Sequence, residues 1–111
     1  PVPALDARSL EQARDQLAAA QARLRSAEAN LLTAQAEARF AQSEFERYRQ
    51  LYERNLIAST EMDRRTAERD RQRALASAAA HAVEVARFEV DTARAAIAIG
   101  SGERTVDEQL A

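Results

Sequence analysis

Two interleaved ladders in the first half of the chain constrain it more than any other feature. One runs Leu10, Leu17, Leu24, Leu31, Ala38, Phe45 and Tyr52; the other runs Ala13, Ala20, Ala27, Ala34, Ala41 and Tyr48. The spacings alternate three and four over six heptads without a slip. A helix that turns every 3.6 residues gathers such positions onto one face, so the ladders predict a coiled-coil seam. Leucine alternating with alanine suits a partner helix at close approach. Arg14, Gln21, Arg23, Glu28 and Glu37 flank the seam and stay in water.

Nothing in the composition interrupts this helix or a second one. Of 111 residues 27 are alanine and 16 are arginine, and there is no lysine. The glycines are Gly100 and Gly102 and the prolines are Pro1 and Pro3, so no helix breaker lies from Ala4 to Ile99. Alanine and arginine both favour helix. The first helix should start near Asp6 to Ser9, and Ser9 followed by Gln12 fits a capping box.

The heptad pattern stops at Arg54-Asn55-Leu56-Ile57-Ala58. Asparagine accepts the left-handed conformation that often ends a helix. Ser59 or Thr60 can then cap a new helix, with Glu61 and Asp63 opposing the positive end of its dipole. A turn this short requires the helices to fold back on each other. The expected fold is all-α, a long antiparallel two-helix coiled-coil hairpin. It divides into a lead-in over 1–8, a hairpin over 9–98 (helix one about 9–54, turn 55–59, helix two about 60–98) and a polar tail over 99–111 that starts where Gly100-Ser101-Gly102 stops the helix.

With the turn centred near Leu56, facing residue numbers should add to about 113. The second seam is then Met62, Arg69, Ala76, Val83, Val90 and Ile97, interleaved with Ala79, Ala86 and Ala93. Towards the turn it becomes polar, through Arg65, Arg69 and Gln72. A further stripe holds Ala74, Ala78, His81, Val85, Phe88 and Ile99. It is either a wider face shared with helix one or a lateral contact with another hairpin.

Catalysis finds little support. His81 is the single histidine, no His pair stands at metal-binding helical spacing, and no glycine-rich loop could cradle a phosphate. No cofactor and no metal are expected, and cysteine is absent. Net charge is −2 with interleaved signs, which argues against a nucleic-acid partner. The arginines between Arg64 and Arg73 could suggest a basic membrane- or nucleic-acid-binding helix, but Glu68 and Asp70 sit among them. No apolar run reaches the ~18 residues of a membrane span.

The turn is the one candidate site. It gathers Arg47, Leu51, Arg54, Leu56, Ile57 and Ser59. Apolar groups at the end of a helical hairpin, rimmed by arginine, form either a docking surface or a plug for the end of the seam.

Two stretches, Arg47-Tyr48-Arg49-Gln50-Leu51 and Asn55-Leu56-Ile57-Ala58-Ser59-Thr60-Glu61-Met62-Asp63, lie between alanine-rich heptads such as Ala78-Ala79-Ala80-His81-Ala82-Val83-Glu84-Val85-Ala86-Arg87. Together they resemble the α-helical hairpin of the periplasmic adaptor, or membrane fusion, proteins of the HlyD family, over about residues 6–99. That family carries a tip motif of Arg, Leu four residues later, and Ser or Thr seven residues after the Leu. Arg47 and Leu51 match; the third position is Ala58, with Ser59 next to it. Either Ser59 substitutes with a one-residue shift or docking differs here. The resemblance implies a hairpin that links an inner-membrane transporter of ABC, RND or MFS class to a TolC-like outer-membrane channel, docking through its tip. It implies self-association into a ring, and a periplasmic location within a full-length protein anchored to the inner membrane. It also implies that this chain is an excised hairpin, or only its ordered part. The competing reading is a generic coiled-coil spacer or dimerisation module of a non-transport protein, which explains the heptads but gives no role to the turn residues.

Overall fold

In a computed structural model the chain forms two long helices, α1 (Ala7–Glu53) and α2 (Ser59–Leu110). The structure describes residues 6–110, with the side chains of 6–99; the lead-in before residue 6 lies outside it. No strand occurs among the described residues, and the expected all-α hairpin is the fold observed.

α1 starts at Ala7, inside the expected stretch from Asp6 to Ser9. Asp6 is its cap: the Ser9 amide donates to Asp6 Oδ1 at 2.7 Å, and the Leu10 amide to the Asp6 carbonyl at 2.9 Å. Ser9 is thus the third helical residue and not the cap. A carboxylate among the free amides of a helix start is favoured by hydrogen bonding and by the dipole. The Ser9 backbone amide, then the Ser9 hydroxyl, holds the Asp6 carboxyl below its ordinary value of 3.8.

α1 ends as the sequence suggests. Asn55 adopts φ 58° in the left-handed region. The Leu56 amide donates to the Leu51 carbonyl at 2.9 Å and the Asn55 amide to the Tyr52 carbonyl at 2.9 Å, the paired bonds of a Schellman motif. α2 then opens one residue before the expected caps. Ala58 supplies the carbonyl that accepts from the Glu61 amide at 3.1 Å and the Met62 amide at 3.2 Å, which makes Ser59 the first helical residue. α2 also runs on to Leu110, past Gly100 and Gly102, instead of ending near residue 98 with a tail behind it. A glycine costs only about 1 kcal/mol against alanine inside a helix, so two of them weaken the helix without stopping it.

The chain forms two compact units. The first joins the part up to Ser26 to the part from Glu84 onward. Its core is Leu10, Ala20, Ala86 and Val90, all buried, with Val90 3% exposed; Ala13, Leu17, Leu24, Ala93 and Ile97 are half-buried. Arg23 Nε donates to Glu89 Oε2 across its seam at 3.2 Å. The second unit, Ala27–Val83, contains the turn and buries Ala41, Met62 and Val83. Leu31, Ala34, Ala38, Phe45, Tyr48, Ala76 and Ala79 are half-buried there. These are the ladder positions. Tyr52 departs from its ladder and is 42% exposed. It lies in the last turn of α1, where the facing helix has only begun, and Leu51 takes the half-buried place.

The further stripe does not widen the seam. Ala74, Ala78 and His81 in the second unit are exposed, as are Val85, Phe88 and Ile99 in the first. The shared-face reading fails because one helix partner can cover only about a third of the α2 circumference, and the ladder residues already fill that third.

Candidate functional site

Within the second unit, the Schellman bonds fix the path of the turn and so set out its side chains. Arg47, Arg54, Leu56 and Ser59 are exposed, and Leu56 is 64% exposed. Leu51 and Ile57 are half-buried. The six expected residues therefore split: Leu51 and Ile57 help close the end of the seam, and the other four face solvent. An exposed leucine beside arginines on a rigid turn can bind a partner by apolar contact and charge-assisted hydrogen bonds.

Behind the turn the seam changes chemistry. Arg65 and Arg69 occupy ladder positions that further along hold alanine and valine. Each is accommodated by an aromatic ring on α1. The Arg65 guanidinium lies 4.1 Å from the centre of the Tyr48 ring, and that of Arg69 lies 4.0 Å from the centre of Phe45. Such stacking attracts a cation to the ring face while leaving the edge of the guanidinium free to donate. Arg65 uses that edge: it donates from Nε to Glu61 Oε1 at 3.1 Å and from Nη2 to the Tyr48 hydroxyl at 3.2 Å, and its Nη2 lies 3.0 Å from Glu61 Oε1 as an ion pair. Its Nη1 lies 3.8 Å from Glu44 Oε2. Arg69 pairs with its neighbour Asp70 at 2.9 Å, and Arg73 donates to Gln42 Oε1 across the helices at 2.9 Å.

Glu44 is the most withdrawn charge in this cluster, its side chain 16% exposed against 64% for Arg47. Its second oxygen, Oε1, accepts from Arg47 Nη2. Arg47 also lies near the Tyr48 ring, at 5.7 Å from its centre. One carboxylate thus sits between a seam arginine of α2 and an exposed arginine of α1. Sequence reasoning placed Arg65 in a polar seam and Arg47 at the turn but passed over Glu44. The available signal was its position three residues before Arg47, on the same helical face.

An open groove of about 570 Å3 runs beside this cluster, with Phe40, Glu37, Glu68 and Gln72 among its walls. Phe40 is 68% exposed, and Gln72 Oε1 has no hydrogen-bond partner although Nε2 of the same amide donates to Glu68. Among the described residues no three His, Cys, Asp or Glu side chains gather as a metal site would need, and no helix is long and apolar enough to cross a membrane. The six turn residues offer two guanidinium groups, one hydroxyl and three aliphatic side chains, of which Leu56 is exposed.

Residues 23–99 match the family model described as the alpha-helical hairpin domain of RND membrane fusion proteins. The matched span takes in both ladders from Leu24 onward, the whole turn and the seam of α2 to Ile97. No curated protein and no solved structure matches the chain.

Proposed function

Because the chain belongs to the alpha-helical hairpin family of the RND membrane fusion proteins, and so to a family of periplasmic adaptors of tripartite pumps, we propose that its turn is the surface that docks onto a TolC-type outer-membrane channel. The observation that carries this reading is the exposed Leu56, held by the Schellman turn between Arg47, Arg54 and Ser59. A leucine that only plugged the seam would be buried. Arg47 and Leu51 stand at the first two positions of the tip motif, Arg47 as an exposed donor and Leu51 as half-buried support. At the third position Ala58 has no polar side-chain group, whereas Ser59 opens α2 with its side chain exposed. Ser59 therefore takes the polar role with a shift of one residue.

The other partner is an inner-membrane transporter of RND class, a choice supported by the family description. Full-length copies form a ring in the periplasm, anchored to the inner membrane, with the exposed stripe of α2 available for contacts between neighbouring hairpins. The chain works by binding and carries out no chemistry.

The test is crosslinking in cells. A photoreactive residue replaces Leu56 or Leu51 in the full-length protein, and the adducts are identified. An adduct with an outer-membrane channel is the expected result. Adducts only with other copies of the protein or with soluble proteins would reject tip docking and favour the coiled-coil spacer.

A further inference from the structure

Arg47 is exposed, yet it is not loose. Its guanidinium is held by Glu44 Oε1, and the other oxygen of that carboxylate lies 3.8 Å from Arg65 Nη1 on the opposite helix. Tyr48 forms a second link between the same two arginines. Its hydroxyl accepts from Arg65 Nη2 at 3.2 Å, and its ring lies 4.1 Å from the Arg65 guanidinium and 5.7 Å from that of Arg47. Arg65 itself is fixed by Glu61 at 3.0 Å, from the first turn of α2. The exposure of the three charged side chains is graded: Glu44 16%, Arg65 32% and Arg47 64%. The chain Glu61–Arg65–Glu44–Arg47 therefore runs from α2 through the seam to the surface of α1. It ends in one exposed guanidinium that Glu44 holds, with its remaining donors in water.

We infer that Glu44, backed by Arg65, is a positioning residue for docking. It holds Arg47 in the orientation that a partner meets, and the claim rests on the reading of Arg47 as a docking residue. The physical reason is preorganisation. An arginine carries one of the largest side-chain entropies of any residue, and an arginine already fixed before contact loses less of it on binding. A monodentate grip by Glu44 leaves most of the guanidinium's donors unused, so the contact does not consume the group it orients. The same geometry couples the turn to the register of the seam. Arg65 reaches Glu44 and Tyr48 only when the two helices are in this alignment, so a slip of one turn would leave the Glu44–Arg47 pair of α1 without its support from α2.

The test combines a binding cycle with a direct view of the side chain. Binding of the 111-residue chain to a purified TolC-type channel is measured for the wild type, Glu44→Gln, Arg47→Gln and the double variant. Separately, the Arg47 Nη–Hη signals are followed by NMR in the chain alone, with helicity as a check on folding. The expected result is a loss of about two- to fivefold in affinity for Glu44→Gln, the range a partly exposed ion pair spans. No further loss should accompany Glu44→Gln once Arg47 is Gln. Arg65→Gln should reproduce the loss at intact helicity, and in Glu44→Gln and Arg65→Gln the Hη protons of Arg47 should exchange faster with water. An equal loss from Glu44→Gln in the presence and absence of Arg47 would overturn the proposal, since Glu44 would then act only through the fold. Tighter binding by Glu44→Gln would also overturn it, because the ion pair would be withholding Arg47 from the partner. If Arg47→Gln itself binds as the wild type does, it is the docking reading that fails. In that case unchanged Hη exchange in Glu44→Gln would refute the grip on Arg47 as well.

Discussion

Asn55 gives the sharpest test of how the hairpin closes. Its φ of 58° lies where a residue with a Cβ is strained by roughly 1–2 kcal/mol, a strain that the short polar side chain of asparagine reduces and glycine escapes. Replacing Asn55 by Ala should therefore destabilise the hairpin and replacing it by Gly should not, with a gap of about 1 kcal/mol between the two variants. The sign is diagnostic. In a continuous helix alanine is better than glycine by about the same amount, so a chain that passed helically through residue 55 would give the opposite order. The assay is urea unfolding followed by far-ultraviolet circular dichroism. With a slope of about 2 kcal/mol/M, a gap of 1 kcal/mol separates the two midpoints by about 0.5 M. Equal midpoints, or an alanine variant that outlasts the glycine variant, would refute closure through a left-handed residue and with it the Schellman bonds from Leu56 and Asn55.

Three further outcomes follow from the seam and the caps. Val90→Ala removes two buried methyl groups from a side chain 3% exposed and should cost about 1.5–2 kcal/mol; Val85→Ala, at 58% exposed, should change stability by less than about 0.5 kcal/mol, and equal effects in urea unfolding would mean the seam is misassigned. The Asp6 carboxyl is held below its ordinary 3.8 by Ser9, so its contribution is present above that value and is lost as pH falls through the folded-state value. Amides in the first turn of α1 should accordingly lose protection from exchange on acidification, and Asp6→Asn should flatten that dependence. Arg69→Leu should be neutral or stabilising, because the carboxylate it leaves, Asp70, is 58% exposed and stays hydrated; Arg65→Leu should cost about 1–3 kcal/mol, because it strips a partner from Glu44 and Glu61, which are 16% and 29% exposed. Urea midpoints that move in the same direction for both would count against the exposure argument.

The seam was legible in the sequence because burial on a helix leaves a periodic trace, and here the trace is long. The register was legible too: Arg65 meets Tyr48 and Arg69 meets Phe45, pairs whose numbers add to 113 and 114. Boundaries were harder for an energetic reason. Asp6 and Ser9 are both competent caps, and Ala58 caps α2 through its carbonyl alone, so neighbouring choices differ by little. Gly100 and Gly102 misled because a modest penalty was read as a stop signal. Tyr52 misled because a ladder position is buried only where a partner helix has already begun.

The link from Glu44 to Arg47 was not legible for a different reason. Seam patterns predict which positions meet across two helices, and Glu44 and Arg65 meet about one turn away from that register through long side chains. Only the coordinates bring them together. The same contacts account for the polar stretch of the seam near the turn, where arginines occupy ladder positions. A seam of leucine there would bury more apolar surface, but it would offer nothing to orient a charged group at the turn. Arginine stacked on Tyr48 closes the seam with its ring contact and still presents donors to Glu44. The second unit therefore combines two tasks in the same layer of side chains: it joins the helices, and it sets the direction of the guanidinium that the turn presents.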